Sequence, residues 1–548
     1  MKEKSWMRRD IRAHGIFYGP FSTNALPSKT FLIPYLLILW ASILPIILEV
    51  YLLLKLMKNI IIFIVILPFF IAFIYLSLFF TSLLVSKIIL LLINRIHTPT
   101  EGIFRREKSN KDYYFWCLRS VIKKWSIWLT KFMPSQIFDI ILLKIYGVNI
   151  SFTSSIKNVV IDTEFISIGK NVSIGPNSYI RSSMIFSDFL ILKEIKIKDN
   201  VTIGSRVFIS PGTIINKSTI LNSFSVTKLN QILQENSYYN GYGAKKKDIE
   251  GGIHTLFDYA PLEDLSDKTV KNDNIEMEKV NRSYSNNKFI KNFKINILIF
   301  FLIYFFSYNI PLFVLFVFNF KTLIPVLKNL NIIFIFSNVK SCLVILFTPV
   351  ICVSLYFLHL LLVVTIVKII YIMINRKTKK FHEGIFHWSE TNGDYKYYFV
   401  HSFLMRILKW KIQRSIFPWI TKWCFSFIGN CKIGKNTVLE DMYLAKDYVE
   451  IGNNCYLGKI LLTNHLWGES LYVKSIKIKD NVVICDGTSI SPGTYIAKNV
   501  SILPLSSTLK SDDLEKKTHY YDTPVNTISE KDLISKFNLN LNHIKNDN

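Results

Sequence analysis

Residues 476–502 read IKIKDN VVICDG TSISPG TYIAKN VSI, and every sixth position, Ile478, Ile484, Ile490, Ile496 and Ile502, is isoleucine. A period of six matches neither a helix face nor an alternating strand. It fits a coil with three short flat faces, in which each sixth residue points inward and stacks on its counterpart one coil away. Such a parallel β-helix buries a column of aliphatic side chains. Gly169, Gly175, Gly204, Gly434, Gly452 and Gly458 follow the aliphatics and are expected to supply corner conformations that a Cβ would forbid.

The same reading holds for 195–221, through Ile197, Ile203, Ile209, Ile215 and Leu221, preceded by Ile168, Ile174 and Ile180. A second run precedes 476, with Ile433, Leu439, Ala445, Ile451 and Leu457. IKIKDN stands at 195 and 476, SPGT at 210 and 491, EGIF at 101 and 383, so the copies are offset by 281 or 282 residues. Lys87–Arg95 and Lys368–Arg376 share the same spacing. The repeated unit is therefore an apolar anchor joined to a soluble domain. Each soluble domain is expected to hold about three coils.

Outward from these blocks the chain divides as follows. A basic N-terminal segment (1–30) precedes a transmembrane helix pair (31–94), amphipathic aromatic helices (95–149) and a first β-helix domain (150–244). A polar linker (245–294) leads to a second helix pair (295–375), further aromatic helices (376–430), a second β-helix domain (431–525) and a tail expected to be mobile (526–548). A span needs about 20 apolar residues. Lys and Arg cluster before the first and third spans and after the second and fourth. This positive-inside bias places both soluble domains in the cytoplasm, in a multi-pass protein of the plasma membrane.

Net charge is +27, which anionic lipid headgroups explain more simply than nucleic acid, because no recognition motif is present. The seven cysteines form no C-x-x-C pair, so disulfides and zinc are not expected. Glu49 and His359 are the only ionisable groups well inside the spans, too few for a transport path.

Both copies break the six-residue period at the same place, Ser182–Glu194 and Asn464–Ser475. A loop leaving the prism at a fixed point is a natural carrier of function. Hexads such as IGKNVS-IGPNSY and IKDNVV-ICDGTS-ISPGTY resemble the hexapeptide-repeat acyltransferase superfamily. The tandem of spans, aromatic helices and hexads resembles the C-terminal membrane region of poly-lysine-synthetase-type nonribosomal peptide synthetases, without their adenylation and carrier domains. The resemblance implies left-handed coils and an acyl-CoA or carrier-bound pantetheine thioester as donor. It also implies a loop histidine as general base. His465 matches that position; the first copy has Ser182 there and no histidine within 98–253. A metal is not expected, because a site of three histidines from neighbouring coils would need more than the one available. Glu469 or Asp486 is expected to orient the imidazole. Asn464, Trp467, Ser491, Gly493 and Pro524 are expected to bind substrate, Pro524 in the turn that closes over the thioester arm. The expected partners are membrane lipid and a carrier protein, with pairing of the two units within the chain or a homo-oligomer both open. Two other readings stand beside acyl transfer: a noncatalytic membrane scaffold, and a peptide-assembly partner of separate adenylation and carrier proteins.

Overall fold

The computed structural model describes residues 29–56, 60–247, 286–328, 338–377, 383–387 and 393–537, except positions 108, 134, 157, 430, 441, 446, 468 and 469. The N-terminal segment to 28, most of the linker and the last eleven residues lie outside the described set.

In each half two long apolar helices lead into shorter amphipathic ones and then into stacked strands. The first half has α1 (Leu32–Leu56), α2 (Ile60–Ile96), α3 (Lys111–Thr130) and α4 (Ile137–Tyr146). The second has α5 (Asn286–Phe318), α6 (Ile324–Lys328), α7 (Val339–Lys377), α8 (Gly393–Leu408) and α9 (Thr421–Ile428). Four stretches are long and apolar enough to cross a bilayer: Leu32–Lys55, Phe63–Ile96, Ile295–Lys328 and Val339–Arg376. The last three are longer than that requires, and the second and fourth also pack against the amphipathic helices. Tyr75 Oη donates to Leu129 O, and Lys368 Nζ to Ile428 O.

Beyond the helices, two- and three-residue strands pair in parallel with strands one coil away. The aliphatic period forms the interior. In the second unit Ile433, Ile451, Ile478, Ile496 and Leu514 are consecutive Cα partners, as are Leu439, Leu457, Ile484, Ile502 and Tyr520. In the first, Ile150, Ile168, Ile197, Ile215 and Leu233 form one column, and Ile174, Ile203, Leu221 and Tyr239 another. Each buried isoleucine contributes on the order of 2 kcal/mol. Two faces of each stack run four or five parallel strands deep, more than the three coils expected, and the third face runs three. Their end coils substitute residues such as Tyr239, Leu233 and Tyr520, which the isoleucine pattern does not reveal. One hexad position is corrected by a residue. Leu444, not Ala445, partners Leu462, because the preceding turn is shorter, with Met442 N bonded to Glu440 O.

The corners follow a different rule from the one expected. Asparagines take the left-handed backbone: Asn436, Asn454, Asn481 and Asn499 have φ between 55 and 60°, a region asparagine tolerates. Their amides form a ladder, Asn436 to Asn454 (3.2 Å), to Asn481 (3.3 Å), to Asn499 (3.0 Å). Gly434 and Gly452 instead provide clearance. A Cβ on Gly434 would lie 2.4 Å from the Gly452 carbonyl carbon, and one on Gly452 2.6 Å from Asp480 N.

Each break in the period is an antiparallel hairpin, Ser183–Phe186 with Phe189–Leu192 and His465–Trp467 with Ser470–Val473. The repeated EGIF string supplies a third strand to each, Gly102–Arg105 and Gly384–His387. Residues 526–537 form a strand and a helix, correcting the mobility expected there. Asn526–Ile528 pairs with His519–Tyr521, and α10 (Glu530–Phe537) buries Leu533 and Phe537. The two stacks meet across an apolar cluster, with Tyr179, Phe186 and Phe208 from the first and Leu503, Ile528 and Phe537 from the second.

Candidate active site

Along α8, Tyr398, Ser402 and Arg406 recur at four-residue spacing and so share one face, with Lys409 following on the next turn. Opposite stands the second hairpin, whose first residue is His465. Between them lies a cavity of about 300 Å³ lined by His465, Tyr398, Ser402, Arg406, Lys409 and Asn296 of α5. Tyr443 and Leu444 of the third prism face close its floor, and Lys409 Nζ lies 4.5 Å from the centre of the Tyr443 ring.

Hydrogen bonds assign the imidazole. Asn464 is buried, and its Nδ2 donates to Asp447 O at 2.6 Å. That bond turns Asn464 Oδ1 toward His465 Nδ1 at 3.2 Å. An amide oxygen only accepts, and Thr463 Oγ1, 3.3 Å from Nδ1, donates its own hydrogen to His465 O, so Nδ1 carries the hydrogen and Nε2 the lone pair. Asp447 is itself fixed by Tyr371 Oη at 3.2 Å, and His401 Nδ1 lies 3.9 Å from its Oδ2. The Tyr398 ring meets the imidazole edge-on at 5.3 Å. Burial pushes the Tyr398 and Tyr443 phenols up, so both stay neutral.

Of the residues expected around His465, Asn464 is hydrogen-bonded to its ring. Asp486 is not brought to it. Asp486 Oδ2 accepts from Arg181 Nε of the first unit at 2.8 Å, and Oδ1 accepts from Lys459 N. Glu469 and the side chain of Trp467 lie outside the described residues. Ser491 and Gly493 belong to a corner. Ser491 Oγ donates to Thr508 O at 2.7 Å, as Ser210 does to Thr227 O at 2.6 Å in the first unit. Gly493 has φ +81°, where a Cβ would meet Lys474 and Ser511. Pro524 follows a cis peptide in the turn between the last two strands of that stack. Asn296, Tyr398, Arg406 and Lys409 were missed as site residues. Their only signal was membership of a basic aromatic helix or a span.

The first unit repeats the frame without a histidine at this place. Ser183 faces Leu192 as His465 faces Val473, so Ser183, not Ser182, is the counterpart of His465. Ser182 Oγ donates to Glu164 O at 2.6 Å, taking the place of the Asn464–Asp447 bond. Glu164 is held by Arg119 (3.0 Å) and Lys123 (2.6 Å). Burial pushes the Glu164 carboxyl up, but the two cations outweigh it and hold it below the ordinary range. Ser183 Oγ donates to Asp162 Oδ2, and Arg181 bridges Asp162 and Asp486 at 2.8 Å each. Among the described residues no group of three or more His, Cys, Asp or Glu side chains is arranged to hold a metal.

No protein-family model and no curated protein matches the chain. Among solved structures it is similar to a hexapeptide-repeat-containing acetyltransferase of Vibrio cholerae complexed with acetyl coenzyme A. Identity is 15 % and the TM-score 0.20, over 23 % of this chain and 83 % of that one. A second structure of that enzyme is matched over 62 % of its length and 18 % of this chain, at 18 % identity and TM-score 0.17. A serine acetyltransferase of Neisseria gonorrhoeae in complex with serine is 16 % identical with a TM-score of 0.19, over 32 % of this chain and 57 % of that one.

Proposed function

We propose that this chain is an integral membrane acyltransferase whose second unit moves an acyl or aminoacyl group from a thioester to a hydroxyl or amine. In this reading the coils are left-handed β-helices and both soluble halves face the cytoplasm. The donor is acyl-CoA or a carrier-bound pantetheine thioester, and the first unit is a structural partner. The observation that carries the reading is the tethered imidazole: Asn464 Oδ1 at Nδ1, with the ring at the edge of a 300 Å³ cavity. His465 Nε2 takes the acceptor's proton as the acceptor oxygen or nitrogen attacks the thioester carbonyl. The carbon–sulfur bond then breaks, and the thiolate leaves with that proton from the imidazolium. Backbone N–H groups are suited to the transient oxyanion.

A His465→Ala variant in vesicles tests this. Transfer from acyl-CoA and carrier-bound thioesters is expected to fall about 10²–10⁴-fold. Wild-type rates in that variant would leave a scaffold as the better reading.

A further inference from the structure

The cavity beside His465 says something about the acceptor. Among the described residues its lining contains two cations, Arg406 and Lys409, and no carboxylate. That balance favours a ligand carrying a negative group. One wall is Asn296, 7 % exposed, whose Oδ1 is buried without a hydrogen-bond partner. A buried amide oxygen left unsatisfied costs about 1–3 kcal/mol, so a ligand that donates a hydrogen bond there is stabilised. Hydroxyl and amine groups are such donors.

Asn296 also fixes the direction of approach. It is the second residue of the span Ile295–Lys328. Beyond it Leu298 and Phe301 are 59 % and 63 % exposed, as lipid-facing side chains would be. A single cavity thus joins the start of an apolar span, two cations, an unsatisfied acceptor and the oriented imidazole. A water-soluble acceptor would have no need of a wall built from a membrane helix.

We infer that the acceptor is the head group of an anionic phospholipid, entering from the leaflet. Its phosphate lies against Arg406 and Lys409, and its free hydroxyl or amine donates to Asn296 Oδ1 on the way to His465. This rests on the acyltransferase reading and names its acceptor class. In the step itself the head-group oxygen or nitrogen gains the acyl carbon and loses its proton to His465. The thioester sulfur leaves as thiol.

The test is a binding measurement that needs no donor. The full chain is reconstituted in vesicles containing phosphatidylglycerol with a photoactivatable head group, and labelled peptides are mapped. Labelling is expected within 393–413 and at Tyr443–Leu444, undiminished in His465→Ala. Arg406→Gln with Lys409→Gln should lower it at least tenfold. Asn296→Leu, which changes no charge, should lower it about fivefold or more at an unchanged unfolding temperature. Equal labelling by a phosphatidylcholine analogue would overturn the inference, as would insensitivity to Asn296→Leu. Displacement by millimolar glycerol phosphate would show a site for a free phosphate ester and overturn the lipid assignment. Because His465→Ala should keep the label and lose transfer, failure of the base and failure of the lipid site give different results.

Discussion

At the scale of single residues, the site depends on how one imidazole is held. Asn464→Ala removes the acceptor at His465 Nδ1 and frees the ring to adopt the other tautomer. The expected outcome is a kcat lower by about 10–100-fold, with the KM for donor little changed, in steady-state transfer assays. His519 offers a second measurement. It is buried in the seam between units, its ring 5.0 Å from that of Phe186, with neither nitrogen hydrogen-bonded. Burial pushes its pKa down to about 4. An unfolded histidine titrates near 6.5, so between those values the unfolded chain binds more protons. Stability should therefore be undiminished above pH 6.5 and fall by about 3 kcal/mol as pH drops to 4. Unfolding temperatures across that window should decline more gently in His519→Leu; identical slopes would refute the assignment.

At the scale of elements, the clearest test is the close passage of one coil over the next. Gly452→Ala would place a methyl 2.6 Å from backbone nitrogen of Asp480, which a flexible side chain cannot relieve. A loss of about 1–3 kcal/mol is expected, read as a lower unfolding temperature, while Asn481→Gly should cost less because glycine accepts the same φ. The inward columns were legible in the sequence because every sixth residue is aliphatic, and the hairpins because the period stops at them. The role of EGIF was not, since a four-residue strand that pairs with a segment some 80 residues away leaves no local period. Nor was the docking of α10. Its sequence EKDLISKF is mostly polar, with Leu533 and Phe537 buried.

At the scale of the whole molecule, the two units are joined by more than their linker. Tyr35 Oη donates to Ile416 O, Trp128 Nε1 to Arg414 O and Tyr242 Oη to Pro504 O, each crossing from the first half to the second. Arg181 lies between Asp162 and Asp486 with side-chain exposures of 10, 15 and 8 %. Arg181→Ala would leave two carboxylates buried without their counter-ion. A loss of about 3–5 kcal/mol is expected, and the added change Asp486→Leu should restore part of it in thermal unfolding. Asp486 is one of the two residues that the sequence offers to orient His465. Its real partner comes from 305 residues upstream, a pairing that no one-dimensional pattern encodes. The cavity wall was illegible for the same reason: Asn296, Arg406 and His465 meet only after α5, α8 and the hairpin have packed.

The rungs of the asparagine ladder carry a last implication. Asn436 and Asn454 are 18 residues apart, whereas Asn454 and Asn481 are 27 apart with the same bond between them. In the first unit the matching interval, Asn171 to Asn200, is 29. The scaffold closes beneath the insertion as though nothing had been added, and the two halves of this chain already tolerate insertions of different size. Variation in the hairpin is thereby decoupled from the integrity of its support. A lineage, or a protein engineer, can exchange one hairpin for another and expect the stack to assemble unchanged.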